Sequence, residues 1–307
     1  MEKVILKTNN LTKSYGSFNA LEHVDITMRE GHIYGFIGEN GSGKTTLMCI
    51  LTGLIPQTAG TYSIFGKENP AWIKDMRRRI GSTIEAPALY PQYSAWRNLE
   101  LQRVLIGNPD KSVCDEMLKL VNLYEVRNKK VKAFSMGMKQ RLSIAMALIG
   151  KPDILILDEP VNGLDPKNIS ELRILLKKLN EERKVTMLIS SHILNELYLL
   201  ATDYFIIHKG QIIESLSHNE LEEKCKKYVR IKTDCLPDLV TVIEKELDIH
   251  DYKVIDDSTI YLYAFTNEPQ KISQVLIKHG VAVSELSVSE QSIEEYFLSI
   301  TGGECDA

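Results

Sequence analysis

Gly38-Glu39-Asn40-Gly41-Ser42-Gly43-Lys44-Thr45 carries the full spacing G-x-x-x-x-G-K-[ST]. Such a run is built to hold phosphate. Its glycines let the backbone curl until successive N–H groups point at an anion. Lys44 offers a point charge to the β and γ phosphates of a nucleoside triphosphate, and the Thr45 hydroxyl is a ligand for Mg2+. Tyr34-Gly35-Phe36-Ile37 reads as a strand just before the loop. Leu47, Met48, Ile50, Leu51 and Leu54 give the next segment an apolar helical face. The helix N-terminus adds its own positive potential.

A second group of reactive residues ends an apolar run, Ile154-Leu155-Ile156-Leu157-Asp158-Glu159-Pro160. A carboxylate at the carboxyl end of a parallel strand lies beside a phosphate loop of the same sheet. There Asp158 can hold Mg2+ through water. Glu159, one residue further, can reach the water that attacks the γ-phosphate and act as its general base. On its own Asp-Glu-Pro would serve as a strand-ending turn; the phosphate loop upstream favours the catalytic reading.

The elements that must position these residues are legible around them. Val4–Lys7, His32–Ile37, Ile154–Leu157, Val185–Ser190 and Tyr204–His208 read as strands, with helical patterns between them. That alternation predicts an α/β fold with a largely parallel sheet. Between about 90 and 150 the pattern turns helical: Ser94–Gly107, Ser112–Leu123 and Met138–Gly150. Val113, Met117, Leu120 and Val121 share one apolar face there. A helical subdomain inserted into the α/β core fits this stretch. Beyond a return strand at Gln211–Ser215 and a polar helix near 218–227, the order is strand, helix, hairpin, helix, strand, helix. Tyr228–Thr233, Leu236–Leu247, Tyr252–Ile255 with Thr259–Phe265, Glu268–His279, Val281–Ser287 and Gln291–Ile300 carry it. The β-α-β-β-α-β part predicts a small ferredoxin-like unit. We expect domains at 1–216 and 217–307.

The chain has 307 residues, enough for about two domains. With 44% hydrophobic and 25% charged residues it is an ordinary globular composition. Residues 1–210 hold 28 basic and 22 acidic side chains, a net of +6; the remainder hold 9 and 19, a net of −10. The basic part is too weakly charged to argue for nucleic acid. No apolar run is long enough to cross a membrane. The opening residues lack a secretory signal, so the chain is expected to stay where it is made. Cys49, Cys114, Cys225, Cys235 and Cys305 are scattered, without a C-x-x-C pair, as expected for free thiols in a reducing compartment.

In combination these motifs resemble the nucleotide-binding subunit of ATP-binding cassette (ABC) transporters, over residues 1 to about 215. Tyr15 stands where the family has an aromatic that stacks on adenine. Gly38–Thr46 is similar to its phosphate loop, and Ile154–Glu159 to its second nucleotide motif with the catalytic glutamate. Phe134-Ser135-Met136-Gly137-Met138-Lys139-Gln140-Arg141 lies where the family carries its L-S-G-G-Q signature. Gly163-Leu164-Asp165 resembles the D-loop, and His192 the switch histidine.

The resemblance implies a P-loop ATPase that binds ATP and Mg2+. It implies Lys44, Glu159 and His192 as catalytic residues. Tyr15, Gly38, Glu39, Asn40, Gly41, Ser42, Gly43, Lys44, Thr45, Thr46, Ser135, Gly137 and Asp165 would contact nucleotide, with Thr45, Asp158 and Glu85 at the metal. Two departures stand out. Met136 and Met138 replace the signature's first glycine and its glutamine, which removes a polar contact to the nucleotide across the dimer. In Ile80-Gly81-Ser82-Thr83-Ile84-Glu85-Ala86-Pro87, Glu85 replaces the family's usual glutamine.

These features are similar to the ATPase subunits of bacitracin-type and lantibiotic-immunity exporters, some of which carry a C-terminal extension. The resemblance implies a homodimer, or a heterodimer with another ATPase subunit. It would sit on the cytoplasmic face of the membrane and power a separate transmembrane permease without binding nucleic acid. A non-transport ABC ATPase acting on ribosomes or other cytoplasmic assemblies is the alternative. Ribosomal members usually carry two cassettes, and DNA-repair members a long coiled coil; this chain has one phosphate loop and no heptad run. A nucleotide kinase would lack the signature.

Overall fold

A computed structural model describes residues 2–68, 70–85, 88–290 and 292–302. Ala86, Pro87, Gln291 and Cys305 of the sequence analysis lie outside them. The chain divides into two compact units, up to His218 and from Asn219.

In the first unit, β1 (Val4–Tyr15), β2 (Phe18–Val24) and β3 (Thr27–Arg29) lead to β4 (Ile33–Ile37), then α1 (Lys44–Thr52), β5 (Ala59–Ile64), α2 (Pro70–Met76) and β6 (Ile80–Thr83). Three helices follow, α3 (Ala95–Leu105), α4 (Ser112–Leu120) and α5 (Met136–Leu148). After them come β7 (Ile154–Leu157), α6 (Pro166–Arg183), β8 (Thr186–Ser190), α7 (Leu194–Tyr198), β9 (Asp203–His208) and β10 (Gln211–Ser217). The main sheet has the order β10-β9-β4-β8-β7-β6, parallel except for the β9–β10 pair. β4, β7 and β8 are buried at every position, as strands covered on both faces require.

The sequence reading did not foresee a second sheet. β1 runs antiparallel to β2, β3 and β5. Its polar residues alternate irregularly because the β1 ladders are broken by register shifts. A core of Leu6, Leu21, Met28, Phe36, Leu47, Ile50, Ile156 and Phe205 joins this sheet, α1 and the main sheet. Each such residue contributes roughly 1.5–3 kcal/mol by leaving water.

The inserted helices α3, α4 and α5 pack on one another. On α4, Val113 and Met117 are buried as expected, together with Cys114 and Leu118; Leu120 is only half-buried. α5 begins two residues earlier than its pattern suggested, because Ser135 caps it by accepting the Met138 N–H.

From the boundary at His218, α8 (His218–Lys224) leads into the second unit and precedes β11 (Lys227–Lys232), α9 (Leu236–Leu247), β12 (Tyr252–Val254), β13 (Thr259–Leu262), α10 (Pro269–Lys278), β14 (Glu285–Glu290) and α11 (Ile293–Thr301). The antiparallel order β12-β13-β11-β14 is the ferredoxin-like one. The last strand falls later than expected. Val281 donates to the Leu276 carbonyl, closing α10 and packing into the core, so pairing with β11 starts only at Glu285.

Candidate functional site

Strand order decides what the phosphate loop meets. β6, β7, β8 and β4 are parallel neighbours, so Glu85, Asp158 with Glu159, Ser190 with His192, and Gly38–Thr45 all follow the carboxyl edge of one sheet. Asp158 is buried and divides its carboxylate. Oδ2 accepts from the Thr45 hydroxyl at 2.8 Å, and Oδ1 from the Ser190 hydroxyl at 2.6 Å. Glu159 has φ +48°, a left-handed backbone that L residues resist. Its N–H donates to Ser190 Oγ at 2.8 Å. His192 closes on the Glu159 carboxylate, with Nδ1 2.7 Å from Oε2 and its N–H donating to the same oxygen at 3.3 Å.

The loop itself requires glycine at two points. Gly43 has φ +111°, and a Cβ there would stand 2.6 Å from the Ala20 carbonyl; at Gly38 one would stand 2.5 Å from Ser42 Oγ. Lys44 is buried, and its Nζ donates to the carbonyls of Gly38 at 2.6 Å and Glu39 at 2.9 Å. Burial pushes the ammonium below its ordinary pKa, against the opposing pull of Glu159, Asp158 and Glu39. Ser42 Oγ is buried and makes no hydrogen bond among the described residues.

A cavity of about 370 Å³ gathers Tyr15, Asn40, Gly41, Gly43, Lys44, Thr45, Thr46, Asp158 and Glu159. Glu39, next to Asn40 in sequence, is exposed. Phe18 lines the cavity too, a residue the sequence reading missed. The signal was the hairpin Tyr15-Gly16-Ser17-Phe18, which pairs both aromatics across one turn. Ser190 was missed as well: it is a polar residue ending an otherwise buried strand.

Other expected residues stand elsewhere. Ser135 and Gly137 open α5, and Asp165 caps α6. Asp165 accepts from the Asn168 N–H at 2.9 Å and from its Nδ2 at 2.7 Å, which holds the carboxyl below its usual range. Glu85 is exposed with φ +59° and near enough to raise the Cys49 thiol pKa alongside Asp158, after burial itself. It is not hydrogen-bonded to the Thr45–Asp158 pair in the way those two bond each other. Among the described residues no group of three or more His, Cys, Asp or Glu gathers around a metal position. A hydroxyl and a carboxylate beside a phosphate loop nevertheless suit Mg2+, which takes few protein oxygens and completes its shell with water and phosphate.

Comparison with known proteins agrees with this geometry. The family model described as "ABC transporter" matches residues 21–162. The bacitracin transport ATP-binding protein BcrA of Bacillus licheniformis is 42% identical, covering 97% of this chain and 98% of that protein. The lantibiotic transport ATP-binding protein SrtF of Streptococcus pyogenes is 44% identical over 68% of this chain and 89% of its own. Among solved structures, the dimeric post-hydrolysis state of the ATP-binding cassette MJ0796 with ADP and Pi covers 70% of this chain and 99% of that one. It has 28% identity and a TM-score of 0.64. A phosphate loop, a paired Asp158 and Glu159 and His192 on one sheet edge, with a relative matched over nearly the whole length, place the chain in the ABC transporter family as an ATP-hydrolysing subunit.

Proposed function

We propose that this protein powers a separate transmembrane permease that exports antimicrobial peptides or related antibiotics. The observation that carries the reading is the convergence of Lys44, Thr45, Asp158, Glu159 and His192 at one sheet edge. The names of the relatives, bacitracin and lantibiotic transport proteins, supply the cargo class.

In the proposed reaction Tyr15 and Phe18 hold adenine, and the loop N–H groups with Lys44 hold the phosphates. Mg2+, held by Thr45 and Asp158 with Glu85 nearby, would draw charge from the phosphate oxygens. Glu159 takes the proton of the attacking water, and His192 fixes the carboxylate that takes it. Ser135 and Gly137 lie outside the cavity of their own subunit. They serve the nucleotide of a second copy, which makes the working form a dimer with two ATPs between subunits. Binding closes the dimer and hydrolysis reopens it.

Among the described residues no helix is long and apolar enough to cross a membrane, so transport needs a partner. A groove of about 1240 Å³ runs between the β6 end and the inserted helices. Leu54, Val104 and Leu105 line it, and each is more than half exposed. This groove, which Ile84 next to Glu85 also lines and which carries those exposed apolar side chains among polar ones, is the proposed permease seat, at the cytoplasmic face. Tagging the chain and solubilising membranes gently should recover a polytopic membrane protein. Loss of the permease should sensitise cells to antimicrobial peptides. Recovery with ribosomes and no membrane protein would overturn the reading.

A further inference from the structure

We propose that Ser190 is a positioning residue that holds the metal-binding carboxylate and the catalytic glutamate in register, and this rests on the ATPase reading above. Ser190 ends β8 and is fully buried. Its oxygen stands between two functions. The hydroxyl donates to Asp158 Oδ1 at 2.6 Å, while the same oxygen accepts the Glu159 N–H at 2.8 Å. The neighbouring Ser191 does something else: its Oγ accepts the Ile193 N–H at 3.0 Å, shaping the turn that carries His192.

The geometry makes Ser190 necessary at this point. Asp158 has two oxygens to orient, and Thr45 fixes only Oδ2. Without Ser190 the carboxylate could rotate about the Thr45 bond. Glu159 occupies a left-handed backbone, which is retained only where surroundings over-determine it. The Ser190 oxygen is the partner that satisfies its N–H in that conformation. Removing it strands a backbone donor and lets residue 159 relax, carrying its carboxylate away from the attacking water. Reacting groups displaced by about 1 Å lose on the order of a hundredfold in rate.

The test uses the full chain. Ser190→Ala should lower kcat for ATP roughly 10–100-fold, the range found when an outer partner of a metal ligand is lost. KM and the affinity for ATP in EDTA should stay within about twofold, since the phosphate loop is untouched. Amide hydrogen exchange across residues 158–163 should accelerate in Ser190→Ala. Ser190→Thr, which keeps the hydroxyl, should restore both the slow exchange and most of kcat; should Ser190→Ala not fold, Ser190→Cys, a weak acceptor of nearly the same size, replaces it. Wild-type kcat and unchanged exchange in Ser190→Ala would overturn the proposal, as would Ser190→Thr no better than alanine. Glu159→Gln serves as the control. If it too turns over at the wild-type rate, the site reading fails; if it is inactive while Ser190→Ala is normal, only the role of Ser190 fails.

Discussion

Lys44 carries its charge in a place that disfavours it. Burial lowers its pKa, and only its own loop carbonyls and the nearby carboxylates hold the ammonium. A triphosphate would take over the carbonyls' part, which makes the proposed role of Lys44 binding before catalysis. Lys44→Ala should weaken ATP binding about 10–100-fold, as expected for a charge-assisted contact, read by titrating a fluorescent ATP analogue. Glu159→Gln keeps the shape and removes the base. It should bind ATP with little change, lose turnover by a factor of ~10²–10⁴, and accumulate as an ATP-bound dimer in gel filtration. Wild-type hydrolysis by this variant would remove Glu159 from the mechanism. Both residues were readable from the sequence as candidates, since loop spacing and a carboxylate after an apolar run are local patterns. Ser190 and Phe18 were not, because each gains its role from a strand or turn that sequence spacing does not bring near.

Helices α5 and α6 meet at their N-termini, and the meeting is tight. A Cβ on Gly137 would stand 2.5 Å from the Asn168 side chain, which Asp165 holds in place. Arg141 and Glu171 pair one turn further along. The signature end and the D-loop are therefore one assembly within the subunit. Gly137→Ala should destabilise by about 1–3 kcal/mol through overpacking, despite the ~1 kcal/mol that alanine gains over glycine in a helix. With Asn168→Gly the same change should become neutral or favourable. A double-mutant cycle in urea unfolding checks this; additive effects would mean that the two elements do not share the contact. The helices themselves were legible as periodic segments. Their seam was not, because Gly137 and Asn168 lie in separate elements that only packing brings face to face.

At the scale of the whole molecule, the groove and the nucleotide cavity are linked where the Asp158 N–H donates to the Thr83 carbonyl at 2.9 Å, a contact that would carry an event at ATP to the proposed permease seat. Glu85 follows Ile84 of the groove lining and is exposed, with φ +59°. Glu85→Gln should leave ATP hydrolysis by the isolated subunit within about twofold and alter peptide-stimulated ATPase and transport in the assembled complex. Unchanged transport in reconstituted vesicles would reduce Glu85 to a loop residue. The ferredoxin-like order of the second unit followed from its strand and helix sequence alone. The antiparallel sheet of the first unit did not, since β1 is polar, irregular and paired with segments before and after the phosphate loop.

The amino-acid sequence by itself determined the phosphate loop, the Asp158-Glu159 pair, the signature and the order of elements. Each of these is written in residues close together along the chain, where backbone conformation and hydrophobic period act directly. Tertiary structure alone decided that β8 lies between β4 and β7. That placement sets Ser190 between the Asp158 carboxylate and the Glu159 N–H and brings His192 onto Glu159. Side chains far apart in sequence acquire a joint function only when strand order and burial fix their distances, and those are properties of the packed chain.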